Sequence, residues 1–238
     1  MMDRGEQIRR AFERISFDLS EKQVEQFVCY YDMLVDRNRV VNLTAIVEFD
    51  DVIVKHFLDS LMLSQVESCP KGKLIDVGTG AGFPGIPLKI VYPDLEVMLL
   101  DSLNKRVRFL DDVIGELGLE KIRAVHGRAE DLARGEYREG FEFCVSRAVA
   151  GLASLAEYCI PFVKLGGRFV AYKSGKVKEE LEMGGKAVEV LGGRVVGVRE
   201  FVIPGTDIFR SLLLVEKVGR TPLRYPRKAG VPVKEPIC

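Results

Sequence analysis

Leu74-Ile75-Asp76-Val77-Gly78-Thr79-Gly80-Ala81-Gly82-Phe83-Pro84-Gly85 is the stretch that decides the fold. A short apolar strand runs into a glycine-rich turn, and a helical pattern follows over residues 85–92. Glycines at such a turn let the backbone bend sharply and pass close to a ligand. Two nucleoside cofactors compete for it. Gly80 to Gly85 satisfies GxGxxG, and Asp101 lies about 20 residues on, the spacing of a dinucleotide fingerprint. Against this, Asp76 stands just ahead of the first glycine. A carboxylate there suits a cation, such as the ammonium of S-adenosylmethionine, better than a pyrophosphate. Pro84 and Pro87 also remove N–H donors where a pyrophosphate would want them. The plainest alternative is a tight strand–helix turn with no ligand. Asp101 ends the next strand and can accept hydrogen bonds from both ribose hydroxyls in either cofactor.

Outward from this loop, strand-length apolar runs recur at Lys73–Val77, Glu96–Leu100, Ile122–His126, Phe141–Val145 and Gly167–Tyr172. Helical patterns separate them at 85–92, 103–118, 151–162 and 176–191. Strands alternating with helices predict a parallel sheet covered on both faces. The end differs: Arg194–Ile203 and Ile208–Lys217 are joined by Pro204-Gly205-Thr206-Asp207 with no helix between, which is a hairpin. The expected fold is therefore α/β, a mostly parallel seven-stranded sheet ending in an antiparallel hairpin, the plan of Rossmann-like class I methyltransferases. Upstream, helical spacing marks 5–15, 21–36 and 50–66, with Ser20 as an N-cap and Asn42–Ile46 as a turn. Three regions follow: a helical extension at 1–70, a cofactor-binding domain at 71–219, and a basic, proline-rich tail at 220–238. The last 17 residues hold four of the ten prolines, which argues for an extended tail.

The chain has 238 residues, 47% apolar and 29% charged, enough to fold rather than stay disordered. No apolar run reaches about 18 residues, so no membrane span is expected. The start, Met-Met-Asp-Arg-Gly-Glu-Gln, lacks an apolar signal core, and a cytoplasmic location is expected. Five cysteines (Cys29, Cys69, Cys144, Cys159, Cys238) show no CxxC spacing, and the two histidines are His56 and His126. Neither a disulfide framework nor a metal site follows; reduced thiols fit better. The net charge of zero hides a gradient. Residues 1–70 carry 8 basic and 13 acidic side chains, and 220–238 carry five basic against one acidic. The tail leaves nucleic-acid binding open.

At these residues the sequence resembles the bacterial 16S ribosomal RNA guanine-N7 methyltransferase family, once called glucose-inhibited division protein B. The matching segments are Asn42-Leu43-Thr44-Ala45, His56-Phe57-Leu58-Asp59-Ser60-Leu61, Asp76 through Leu88, Asp101-Ser102-Leu103-Asn104-Lys105-Arg106, Ser146-Arg147-Ala148 and Tyr225-Pro226-Arg227. Ser174 stands before Gly175 where the family often has glycine directly after the lysine of the fifth strand. The resemblance implies S-adenosylmethionine as cofactor and 16S ribosomal RNA, free or in the small subunit, as partner. The target would be guanosine 527 of the 530 loop, and the enzyme a monomer without metal. It also implies a map. Asp76, Gly78, Gly80 and Phe83 would line the methionine and adenosine side. Asp101, Ser102 and Leu103 would hold the ribose edge, Ala129 and Glu130 would meet adenine, and Arg147 would close the site.

Missing motifs narrow the chemistry. The fourth strand ends in Val145-Ser146-Arg147-Ala148, not in an Asp/Asn-Pro-Pro-aromatic tetrapeptide for an exocyclic amine. No Pro-Cys pair offers a thiolate, and Cys144 reads as a small core residue. Guanine N7 carries a lone pair and no proton, so its methylation needs alignment and no base. The positioning candidates are Arg147, Lys173, His56 and Asn42. Three of them have a structural reading beside the functional one: an ion pair for Arg147, a buried ring for His56, and a turn cap for Asn42, shared with Thr44. Two other activities stay open: methylation of a small molecule with the N-terminal helices as a lid, and nicotinamide-dependent oxidoreduction. A ribosome-binding module without turnover would keep the same fold.

Overall fold

The computed structural model describes residues 3–67, 70–147, 150–175 and 177–237. Cys69, Cys238, Ala148 and the expected helix start at residue 176 lie outside the described residues. Seven strands form one sheet in the order β3-β2-β1-β4-β5-β7-β6. They are β1 (Lys73–Val77), β2 (Glu96–Asp101), β3 (Ile122–His126), β4 (Phe141–Arg147), β5 (Val163–Lys173), β6 (Gly193–Val202) and β7 (Phe209–Lys217). Pairs within β1 to β5 are parallel. The two pairs that β7 makes, with β5 and β6, are antiparallel. β1 and β4 are central, and their apolar runs are buried on both faces. The strand order reverses beside β1, so its carboxyl end opens the crevice where ligands of such sheets sit.

One face is covered by α1 (Arg4–Glu13), α2 (Glu21–Val41), α5 (Gly85–Val91) and α6 (Asn104–Glu116). The other is covered by α7 (Ala129–Leu132), α8 (Leu152–Cys159) and α9 (Val177–Val190). Ser20 caps α2 in a full capping box with Gln23. α2 runs five residues past the expected end and stops where Asn42 turns left-handed (φ 50°). Asn38 then holds the turn, its carboxamide accepting from the N–H of Leu43 and Thr44 and donating to the carbonyl of Thr44.

The third helical segment is not a plain helix. It starts as α3 (Phe49–Val52), widens into a π-helix at Ile53–Leu58, narrows through α4 (Asp59–Leu61) and ends in a 3-10 turn at Met62–Gln65. Such widening shifts side-chain directions, and π segments recur at functional sites.

The tail is also not an extended arm. Arg138 donates to the carbonyls of Thr221, Pro222 and Tyr225, and Arg134 to that of Pro226. Ser154 donates to Pro232, and a short α10 (Val231–Lys234) closes the chain. The prolines shape a strap across α7 and α8 instead of holding the tail free.

Candidate cofactor and substrate site

The glycine loop hangs from the end of β2: Gly78 and Thr79 both donate to the Leu100 carbonyl. Its glycines have different work. At Gly80 (φ +64°) an added Cβ would meet nothing within 4 Å, so this position borders open space. At Gly85 a Cβ would come within 2.3 Å of Leu99, so that glycine serves packing.

Asp76 is fully buried. Its Oδ2 accepts from Thr79 Oγ1 (2.7 Å) and Gly85 N (2.9 Å). Its Oδ1 is buried and, among the described residues, has no hydrogen-bond partner. Burial pushes the carboxyl up to about 6, against the pull of those two donors and of Arg147. An orphaned buried acceptor is costly unless a ligand donates to it. Asp101 accepts from Gly80 N, Leu103 N and Arg106 Nη1. It therefore shapes the loop from the end of β2.

Ser102 and Leu103 are exposed beside it, and the Ser102 carbonyl lies 3.1 Å from His126 Nε2. Ala129 opens α7 at the carboxyl end of β3. The Glu130 side chain is buried, and its Oε1 accepts from the N–H of Gly230 in the strap.

At the carboxyl end of β4, the Phe83 ring stacks on His56 (centroids 4.4 Å, 17°), and the Arg147 guanidinium lies 5.1 Å from the same ring. Arg147 donates to Asp59 Oδ2 (2.9 Å) and to the Lys55 carbonyl, and its Nη2 lies 3.1 Å from His56 Nδ1. Arg210 of β7 takes the other Asp59 oxygen at 3.1 Å. His56 Nε2 pairs with Thr44 Oγ1. Burial and the Arg147 charge lower the His56 pKa to about 3, against a pull from the Lys55 carbonyl, so the ring is neutral; its Nδ1 lies 3.1 Å from both that carbonyl and the Arg147 guanidinium. The π-helical turn is what aims His56 and Asp59 together at the end of β4.

The other positioning candidates lie apart from this cluster. Lys173 donates to Glu180 Oε2 (2.7 Å) and the Ala150 carbonyl, which ties β5 to α9. Asn42 is exposed and serves as the end of α2. Cys144 is buried, and burial beside Cys159 holds its thiol protonated. Asp59 and Arg210 complete the cluster, yet the sequence singled out neither as functional. Asp59 lies three residues after His56, but its second partner is 151 residues away. Among the described residues no group of three or more side chains could hold a metal. No helix among them is long and apolar enough to cross a membrane.

The rRNA small subunit methyltransferase G family matches residues 23–208. The chain belongs to this family. It is 55% identical over 225 residues to a ribosomal RNA small subunit methyltransferase G of Lachnoclostridium phytofermentans, covering 94% of this chain and 93% of that one. It is 51% identical over 227 residues to the one of Alkaliphilus metalliredigens, covering 94% and 95%. Solved structures show the fold alone. A SAM-dependent methyltransferase from Aquifex aeolicus aligns with TM-score 0.53 at 18% identity, over 70% of this chain and 93% of that one. A predicted O-methyltransferase from Agrobacterium tumefaciens aligns with TM-score 0.53 at 18% identity, over 69% and 80%. For this methyltransferase G chain the oxidoreductase alternative falls away. The α5 start offers no free amides to a pyrophosphate, because Gly85 N donates to Asp76, Ile86 N to Gly82, and Pro84 and Pro87 have none.

Proposed function

We propose that the chain transfers the methyl group of S-adenosylmethionine to N7 of a guanine in the 530 loop of 16S ribosomal RNA. The observation that carries the donor assignment is the buried, unpartnered Oδ1 of Asp76. It suits the ammonium of the methionine moiety, and ionised Asp76 would be favoured by that cation. Gly80 leaves room for the ligand backbone to approach, and Asp101 stands at the ribose edge. The bound donor supplies an electrophilic methyl on a sulfonium.

N7 attack is favoured by what the mouth of the site withholds. His56 is neutral, with its pKa near 3, and both ring nitrogens are engaged. Asp59 is held by two guanidinium groups, and Lys173 by Glu180. Among the described residues, none of these three side chains is free to take a proton. N7 has none to lose: its lone pair forms the new N–C bond, and the electrons of the broken S–C bond stay on sulfur. Catalysis then rests on alignment, for which effective molarities of about 10⁵ M or more are available. Phe83, Arg147 and His56 form the wall against which the guanine is placed.

The test uses small-subunit RNA and donor labelled in the methyl group. Borohydride reduction followed by aniline should cut the product at one guanosine in the 530 loop. Label incorporated without scission overturns the N7 assignment.

A further inference from the structure

Tyr30 of α2 is fully buried, and its hydroxyl donates to the Ala81 carbonyl, 51 residues downstream in the glycine loop, at 2.5 Å. The ring stacks on Phe57 of the π-helical turn (centroids 5.6 Å, 22°) and stands 5.3 Å from the Phe83 ring. Burial pushes the phenol well above its ordinary pKa, so the hydroxyl keeps its proton and acts as a donor. Gln26, one turn earlier on α2, also donates to a carbonyl, that of Leu117 at the far end of α6 (2.8 Å). Gln23 does the same to Ile90 at the far end of α5 (2.9 Å). Of these three bonds, only the one from Tyr30 reaches the ligand end of the sheet.

The place where that bond lands gives it a consequence for the loop. Ala81 lies between Gly80 (φ +64°) and Gly82 (φ +104°), both in the left-handed region. Glycine has the widest choice of backbone states, so this segment is loose by its own chemistry. The Ala81–Gly82 peptide is nevertheless held from both sides. Its N–H donates to the Thr79 carbonyl within the loop, and its C=O accepts from Tyr30. A Cβ at Gly82 would come within 2.7 Å of the Tyr30 hydroxyl, so this glycine also makes the space through which the hydroxyl reaches the loop. A loop held in its binding conformation beforehand binds more tightly, because its ordering is not charged against the ligand.

We propose that Tyr30 is a positioning residue for the methyl donor, its hydroxyl fixing the Ala81–Gly82 peptide so that the glycine loop is set before the donor arrives. This rests on the donor assignment above. The test compares Tyr30→Phe and Gln26→Leu with the wild type. Tyr30→Phe keeps the ring against Phe57 and Phe83 and removes the hydroxyl alone. Gln26→Leu removes a buried bond of the same kind from the same helix, away from the loop. Both variants should unfold at lower urea. Calorimetry with S-adenosylmethionine should show Kd raised about 3- to 10-fold in Tyr30→Phe and unchanged in Gln26→Leu. Hydrogen exchange over 78–84 of the free protein should quicken in Tyr30→Phe only, and return to the wild-type rate when the donor saturates. A wild-type Kd in Tyr30→Phe, an equal rise in both variants, or unchanged exchange over the loop overturns the positioning role alone. If the wild type itself binds no S-adenosylmethionine, the donor reading fails and the positioning role with it.

Discussion

Two elements outside the parallel strands hold the two ends of the crevice, and they do it differently. At the carboxyl end of β4, Asp59 (3% exposed) sits between Arg147 of β4 and Arg210 of β7, so the π-helical turn is tied to the sheet. At the strap, fully buried Glu157 accepts from both the N–H and the guanidinium of Arg227, and Glu130 accepts from Gly230. The first clamp has two cations for one anion, and its Arg147 guanidinium lies against the Phe83 ring. In the second, a single cation meets Glu157, and the terminal strap it fastens is also held by Arg134, Arg138 and Ser154. The first clamp thus keeps one positive charge more than its carboxylate balances. The latch at the strap is mechanical.

The hardest way to break this contrast is Asp59→Asn. It leaves two partly buried guanidinium groups without their carboxylate, and the clamp cannot peel away to hydrate them. Urea unfolding should show a loss of about 3–5 kcal/mol. A loss well below 1 kcal/mol would refute the core anchoring. His56 sharpens the same clamp. Its folded pKa, near 3, lies below the 6.5 of a free ring. The stability that comes from keeping it neutral is full above about 6.5 and is lost as pH falls toward 3. Near pH 4.5 the loss relative to neutral pH should reach about 2–3 kcal/mol. His56→Gln should lack this component, and parallel pH curves for the two proteins would sink the assignment.

At the other end, Arg227→Ala also strips a buried carboxylate of its cation. Here the strap can open and water can reach Glu157, so the expected cost is smaller, about 1–2 kcal/mol. Hydrogen exchange should quicken over 220–237 and stay unchanged over 53–61; equal quickening in both would erase the distinction. The smallest effect belongs to Arg224→Ala with Lys228→Ala. Both side chains are exposed, so stability should hold within about 0.5 kcal/mol. The slope of log K for RNA against log salt should fall by about 0.7–0.9 for each phosphate no longer neutralised. An unchanged slope would leave these charges merely solvated.

Much of this architecture is local enough to read from the chain. The strands announce themselves as short apolar runs, the glycine loop follows β1, and the hairpin has no helix between its strands. The tail misleads because proline content speaks for extension while the groups that fasten it, Arg138, Glu157 and Glu130, lie 70 to 100 residues upstream. Glu157 sits in an apolar helical pattern that gives no sign of a buried charge. The π-helical turn is equally silent, since its apolar spacing over Ile53–Leu58 passes for an ordinary helix. At the site, Asp76, Asp101 and Arg147 are legible because their places follow from strand ends. Arg210 is not, because one arginine in an apolar strand gives no local hint that Asp59 is waiting for it.

The strap also sets an order of completion during synthesis. Strands β1 to β5 and the helix that carries Glu157 emerge well before Arg227 and Gly230. Until those last residues leave the ribosome, Glu157 is a carboxylate facing an apolar cluster, and Glu130 lacks its amide. The strap side of the crevice is therefore the part finished last. A chain stopped just before Arg227 would keep all seven strands and leave Glu157 and Glu130 without these partners.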